Sequence, residues 1–184
     1  MTVTELYPTI LRMLDHFLKF IDRLSGATGF LGACLVLPLA LVMFYEVVLR
    51  FFFDLPTFWA YEISYMMTGA HFALGIAYVM REGQHIRIDF LYERFSPKVK
   101  AGIDLSIYLF FLLPIISWMA WLLSHKAFTA LIIGEQSGES AWNPYVWPVS
   151  SVIAFGFVVF ALQIVAETIR CARVVFCGRS NAEH

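Results

Sequence analysis

Four long apolar stretches alternate with short polar segments along this chain of 184 residues. A helix needs about 20 apolar residues to cross about 30 Å of hydrocarbon. The pattern therefore predicts four transmembrane helices, over residues 25–49, 58–80, 101–124 and 145–166. Residues 81–100 and 125–144 connect the later spans, and residues 167–184 form a tail. Neither connection is long enough for a soluble domain, so we expect a single membrane domain over residues 1–184.

Residues 9–24, which precede the first span, follow a different pattern. Apolar residues recur at helical spacing and charged residues occupy the opposite face. The two sets are Ile10, Leu14, Phe17, Ile21 and Leu24 against Arg12, Asp15, His16, Lys19 and Arg23. This pattern is typical of a helix that lies in the membrane interface, which is our prediction. The alternative is an extension of the first span that packs on a partner.

Composition and charge agree with this reading. Charged residues make up 15% of the chain and the mean hydropathy is +0.72, whereas soluble domains have about 25% charged residues. All Lys and Arg residues except Arg50 and Lys126 lie before the first span, in residues 81–100 or after the fourth span. Because Lys and Arg are retained on the cytoplasmic side, both termini are predicted to be cytoplasmic. The fold class is thus an all-α integral membrane protein with four spans and a preceding amphipathic interfacial helix.

Several classes of function are disfavoured by what the sequence lacks. Cys34 lies within the first span, and Cys171 and Cys177 follow the fourth, so no outward-facing cysteine pair exists for a thiol oxidoreductase. No G-x-x-x-x-G-K-[ST] motif occurs, so the chain does not hydrolyse ATP by a P-loop mechanism. We expect no enzyme activity, no cofactor or metal in this chain and no nucleic-acid partner.

Ionisable residues within the spans are the first candidates for function, because they are costly in hydrocarbon. Glu62 lies near the start of the second span, where the helix dipole favours a carboxylate that can still reach water. Glu46 and Arg50, spaced i and i+4, can pair with each other or with Glu62. We expect a small structural ionic cluster at the outer side of the membrane.

His71 is the histidine in the middle of a span, which makes it the candidate haem ligand. A bis-histidine haem needs a second histidine at matching depth, and the sequence offers none. We therefore expect His71 to form a hydrogen bond between helices. A haem-binding membrane anchor and a proton-coupled exporter nevertheless stay open as alternative, stand-alone functions.

The outer connection, residues 125–144, begins with the apolar run Ala127 to Ile133 and then becomes polar. A helix continued through that run exceeds about 45 Å, longer than a bilayer core requires. We therefore predict a bend after Ser124, or an apolar segment on the outer surface. Glu135 and Glu139 then project outwards as candidate contacts for a periplasmic partner.

The connection between the second and third spans carries "GQHIRID", in which His85, Arg87 and Asp89 recur at every second position. A metal site needs further ligands, and Glu93 is the nearest. The preferred interpretation is a cytoplasmic turn whose basic residues hold the orientation. His85 and Asp89 would then tie this turn to the helix bundle or to a partner.

The stretch "RFFFDLPTFWAYEISYMMTGAHFALGIAYVMREGQHIRIDFL" resembles the small membrane subunit (DctQ type) of tripartite ATP-independent periplasmic (TRAP) transporters. That family has an Arg-rich end of helix 1, then a Pro and Trp-x-x-Glu, then Gly-x-His-x-Arg-x-Asp. The matching residues here are Arg50, Pro56, Trp59, Glu62, Gly83, His85, Arg87 and Asp89. The four-span topology of the family also matches.

The resemblance implies a non-catalytic scaffold in the bacterial inner membrane. Its partners would be a large membrane subunit (DctM type), which carries the sodium and substrate sites, and a periplasmic solute-binding protein (DctP type) that delivers a carboxylate-bearing solute. Membrane lipid is a further partner. In the second span, five small residues would allow close helix contact, either within the bundle or to the large subunit: Gly69, Ala70, Ala73, Gly75 and Ala77.

Overall fold

The computed structural model describes residues 3–83 and 96–177 of the chain, and in the first range it describes side chains from Arg12 onwards. Five α-helices are present there: α1 (Val3–Phe53), α2 (Ala60–Arg81), α3 (Pro97–Ile107), α4 (Leu113–Ile133) and α5 (Trp147–Cys177). A π-helical segment, Tyr108–Leu112, joins α3 to α4 without a break. Four helical stretches are long and apolar enough to cross a membrane. The predicted all-α, four-span class is therefore confirmed.

The π-helical segment has an identifiable cause in the sequence. Pro114 has no N–H to donate to the carbonyl four residues earlier, and its ring crowds that carbonyl. The chain widens just before this proline, where the N–H of Leu113 donates to the carbonyl of Tyr108, five residues back. Such widened turns let a helix continue past an insertion or a proline. The third span is thus one helical rod made of α3, the π-helical segment and α4.

The prediction of a bend after Ser124 is wrong. The helix continues through the apolar run and ends at Gly134, which takes the left-handed conformation with φ 63°. Between these two residues the sequence contains no proline or glycine, and Ser124 bonds to the carbonyl of Ala120 within the helix. The first residue that readily ends a helix is therefore Gly134. The connection is shortened to residues 134–146.

Residues 9–24 are helical, but the separate interfacial helix predicted for them is not observed. They form the first part of α1, which continues through residues 25–49 without interruption. Part of the apolar surface of this segment packs on α5 of the same chain: Leu18 and Ile21 are buried with Ala166, whereas Phe17 of the predicted apolar face stays exposed. Burial against α5 removes part of the apolar surface that would otherwise favour the membrane interface. The segment is an extension of the first span, although its partner is internal.

The helices run alternately up and down. Gly26 and Gly32 of α1 lie against Arg81 and His71 of α2, so these two helices are antiparallel. Gly69 and Gly156 lie against Ile153 and Ala73, respectively, so α2 and α5 are parallel. Asp15 of α1 pairs with Arg173 of α5. Both described ends of the chain therefore lie at one end of the bundle, here called the terminal end; the opposite end, with residues 54–59 and 134–146, is called the hairpin end.

Helix α2 lies between α1 and α5, in contact with both through small residues. An added Cβ on Gly156 of α5 would lie 2.4 Å from the carbonyl oxygen of Ala73, and one on Gly29 of α1 would lie 2.5 Å from Cβ of Tyr78. Ala70, Ala73 and Ala77 of α2 are buried. The predicted close contact of the second span is thus made within this bundle. At Gly75, by contrast, an added Cβ would meet nothing within 4 Å.

We predict that Gly156→Ala destabilises the bundle, because the methyl group can be accommodated only if α5 moves away from the α2 backbone. Overpacking of this kind costs about 1–3 kcal/mol. Thermal unfolding in detergent, followed by circular dichroism, measures the effect. Gly75→Ala is the matched control and should leave the midpoint unchanged or raise it slightly, since alanine favours helix. Equal midpoints for Gly156→Ala and the unmodified chain would contradict the close contact.

Candidate functional site

The first cluster of charged residues lies at the hairpin end, where α1 turns towards α2. The guanidinium of Arg50 donates from Nε and Nη2 to one carboxylate oxygen of Glu46, at 3.1 and 2.5 Å. The other oxygen of Glu46 accepts the backbone N–H of Thr57 at 3.1 Å and also the Thr57 hydroxyl. Glu46 thereby ties the linker after α1 back to the helix. This carboxylate has a structural role, and all its bonds are local.

Glu62 does not belong to this cluster. The sequence left open whether Glu46 and Arg50 pair with each other or with Glu62, and the structure shows the Glu46–Arg50 pair. Glu62 lies in the first turn of α2 and is only 2% exposed, so the expectation that it reaches water is wrong. Its Oε2 accepts the hydroxyl of Ser137 at 2.8 Å. The connection of residues 134–146 covers the carboxyl group, which is why a residue so close to a helix start is buried.

Within the part of the chain that the structure describes, Oε1 of Glu62 is buried and has no hydrogen-bond partner. A buried carboxyl oxygen without a donor is costly. The single bond from Ser137 is therefore the polar contact that offsets part of this cost. It also fastens residues 134–146 to the start of α2.

Residues 134–146 fold as a small hairpin on this anchor. The N–H of Ser137 donates to the carbonyl of Pro144, and that of Val146 to the carbonyl of Glu135, each at 3.0 Å. Asn143 accepts the N–H of Gly138 at 2.8 Å and so closes the tip. Glu135, at the base, is partly buried, whereas Glu139, at the tip, is exposed. Of the two candidate partner contacts, Glu139 is thus the more accessible.

The remaining motif residues of the hairpin end have plain structural positions. Asp54 ends α1 in the left-handed conformation, with φ 53°, and Pro56 lies in the linker that follows. Trp59 is the N-cap residue of α2, and its ring stacks on Tyr45 of α1 with centroids 6.0 Å apart. Tryptophan and tyrosine favour the boundary between lipid and water. These residues fix the turn between the two helices.

A second polar cluster, at the terminal end, was not anticipated from the sequence. Gln163 of α5 is fully buried; its Oε1 accepts the hydroxyl of Ser25 at 2.7 Å, and its Nε2 donates to Asp22 at 3.3 Å and to Glu167 at 3.1 Å. Arg170 pairs with Asp22 at 2.5 Å and also with Glu167. We call Asp22, Ser25, Gln163, Glu167 and Arg170 the α1–α5 polar network.

Arg81 connects α2 to the same end of the bundle. Its Nη1 donates to the carbonyl of Asp22 at 3.0 Å and lies over Gly26, where an added Cβ would meet it at 2.6 Å.

The α5 members of the polar network recur at helical spacing on one face, which is a signal that the sequence did contain: Gln163, Glu167 and Arg170. Their partners on α1 could not be read from it, because Ser25 and Gln163 are 138 residues apart.

His71 forms the interhelical hydrogen bond that the sequence predicted. Its Nδ1 lies 2.9 Å from the carbonyl oxygen of Gly32 on α1. The carbonyl of Gly32 is accessible to the imidazole because Gly32 has no side chain. A Cβ added to Gly32 would lie 3.1 Å from the carbonyl oxygen of His71. One ring nitrogen of His71 is therefore engaged in a hydrogen bond between α1 and α2.

Of the Gly-x-His-x-Arg-x-Asp part of the family motif, the structure describes only Gly83. Gly83 follows α2 and takes a positive φ of 65°, which glycine adopts without strain. Its N–H donates to the carbonyl of Met80 at 3.1 Å. His85, Arg87 and Asp89 lie outside the described residues, so their proposed role stays a prediction.

The fold and these two polar clusters define a multi-pass helical membrane protein in which several ionisable groups pair within the bundle. Comparison with protein families matches the DctQ component of tripartite ATP-independent periplasmic transporters over residues 39–174, about three quarters of the chain. The chain belongs to this family and is the small permease component of such a transporter. Comparisons with curated proteins and with solved structures gave no match.

We predict that Ser137→Ala loosens the hairpin of residues 134–146, because Glu62 then loses the hydroxyl that its Oε2 accepts. A buried acceptor left unpaired costs about 1–3 kcal/mol, and 1.4 kcal/mol is a factor of ten in an opening equilibrium. Amide hydrogen exchange in residues 135–146 should therefore accelerate about tenfold. Glu139→Gln, which changes an exposed carboxylate at the tip, is the control and should exchange at the original rate. Unchanged exchange in Ser137→Ala would show that the bond does not hold the hairpin.

Proposed function

We propose that this chain is a non-catalytic scaffold for the large, sodium-coupled membrane subunit of a TRAP transporter. The large subunit would import a carboxylate-bearing solute that a periplasmic binding protein delivers. In this arrangement the present chain enlarges the immobile part of the transporter and holds it in the inner membrane. Membership of the DctQ family supports a tripartite complex with DctM- and DctP-type partners.

The observation that carries the proposal is the way α2 is held on both sides. Backbone contact at Ala73, glycine contacts along α1 and polar bonds at both ends oppose sliding of α2. Packed interfaces of this kind switch between discrete arrangements or stay fixed, and they do not deform continuously. A bundle so held suits a stationary support for a moving domain.

The outer face of the bundle supports an association within the membrane. Large apolar side chains are exposed along the described part of α1, including Phe30, Leu37, Leu41, Phe44 and Phe51. Lipid and a helical partner can both cover such a surface. The interfacial Trp59 and the long helices oppose tilting and sinking of the support.

Two further contacts belong to this proposal. At the cytoplasmic side, His85 and Asp89 would tie the turn after α2 to the large subunit. At the periplasmic side, Glu139 would meet the binding protein, and Glu135 would contribute from the base of the hairpin. The position of Glu139 at the tip of an anchored hairpin supports this role.

The test is co-expression of this chain with the large-subunit candidate, followed by affinity purification through a tag on one of them. We expect a stable complex in mild detergent and sodium-dependent uptake only when both subunits and the binding protein are present. His85→Ala and Asp89→Ala should lower the recovered partner severalfold, whereas a chelator should have no effect. Lys126→Ala, at an exposed position on α4, is the control.

The proposal fails if this chain is recovered alone as a stable, transport-competent monomer. A haem absorbance band in the pure chain would instead favour the membrane-anchor alternative. Proton-driven export by vesicles that contain only this chain would favour the exporter alternative.

A further inference from the structure

A groove lies between the outer halves of α1 and α2, next to the Glu46–Arg50 pair. Its volume is about 240 Å³, and most of its lining is apolar. The lining residues are Met43, Glu46, Val47, Arg50, Phe51, Ala60, Tyr61 and Ser64. The structural role assigned to Glu46 and Arg50 does not explain why this groove is open.

Arg50 lines the groove, and part of its guanidinium is unused. Its Nε and Nη2 are engaged with Glu46, but no described residue accepts a hydrogen bond from Nη1. The Arg50 side chain is 58% exposed, while that of Glu46 is 15% exposed and has both oxygens bonded. An oxyanion arriving here therefore meets the cation first. The planar guanidinium suits phosphate, with which it forms charge-assisted bonds.

The depth of Arg50 fits the headgroup region of a bilayer. It lies one turn before the end of α1 at Phe53, beside the linker that carries Trp59. From Phe51 back to Met43 the groove follows α1 towards the middle of the span for about 12 Å, at 1.5 Å per residue. A charged site is thus continuous with an apolar channel that descends into the hydrocarbon.

The dimensions of the groove favour a single hydrocarbon chain as the occupant. Its volume is about 240 Å³. A helix segment of the same length, about 10 Å across or more with its side chains, occupies roughly 900 Å³. A helix of a partner protein can cover the groove but cannot enter it.

We propose that this groove binds one phospholipid of the outer leaflet, with its phosphate on Arg50 and one acyl chain along Met43, Val47 and Phe51. The lipid fills the gap between α1 and α2 at the end where they are not held by glycine contacts. The proposal requires only the membrane-spanning fold, so it stands or falls separately from the scaffold function.

The test uses the full chain in nanodiscs that contain phosphatidylglycerol with a photoreactive group on its acyl chain. Crosslinked peptides are mapped and quantified by mass spectrometry. We expect enrichment in residues 43–64 over the exposed face of α4 around Ile132. A photoreactive galactosyl diacylglycerol, which has the same chains but no phosphate, should label residues 43–64 at least tenfold less. Equal labelling by the two lipids would overturn the assignment of phosphate to Arg50.

Three variants locate the contact within the groove. Arg50→Gln should lower the labelling of residues 43–64 by phosphatidylglycerol about tenfold, and Arg50→Lys should retain most of it. Ser64→Phe should lower the labelling without touching the Glu46–Arg50 pair, because the ring fills the groove. Lys126→Gln removes the other cation predicted at the outer side, which is not part of the groove, and should have no effect.

The proposal is overturned if Arg50→Gln and Ser64→Phe both label like the unmodified chain, or if Lys126→Gln lowers labelling as much as Arg50→Gln. It is also overturned if residues 43–64 lose their lipid labelling when the chain is assembled with the large subunit, because a protein segment and not lipid then covers the groove. Elution volume and thermal midpoint are measured for each variant, and Ser64→Phe provides the readout if Arg50→Gln does not fold.

Discussion

The contact of α2 with its two neighbours is the constraint on which the rest of the structure depends. Ala73 and Gly156 bring the backbones of α2 and α5 together, and Gly26, Gly29 and Gly32 bring α1 to the other side of α2. In hydrocarbon, where burial of apolar surface gives little advantage, such close approach supplies the packing energy between helices. Once α2 is fixed, His71 meets a carbonyl of α1, Arg81 reaches Asp22, and Glu62 lies under the outer hairpin.

The polar residues follow from this packing. A charged or amide group inside a membrane bundle is tolerated when its partners are internal. At the terminal end, Gln163 joins α1 to α5 through Ser25 and Asp22. At the hairpin end, Glu46 and Glu62 fasten the two outer connections. In the described residues the polar groups named here thus hold helices and turns in place.

The number of spans could be predicted from the sequence, because each apolar stretch is a local signal of sufficient length. The motif that includes Arg50, Trp59 and Glu62 likewise pointed to the correct family, since its residues are close together in the chain. Helix continuity was less accessible for α1 than for α4. Whether residues 9–24 continue into the first span depends on packing against α5. The extension of α4 to Ile133 is consistent with the absence of proline and glycine between Ser124 and Gly134, although the helix is then longer than a bilayer core requires. The α1–α5 polar network depends on pairs more than 130 residues apart, which a single sequence does not reveal.

The central claim is that this chain stays rigid while its partner moves, and a distance measurement within it tests that claim most directly. Spin labels at Leu37→Cys on α1 and Ile132→Cys on α4, both exposed positions, would be placed in a chain without its native cysteines and assembled with the large subunit. Electron–electron double resonance then gives the label distance with and without sodium and solute. A single distribution, unchanged to within about 2 Å, is the predicted result. A second population, or a larger shift when solute and sodium are added, would contradict a stationary scaffold.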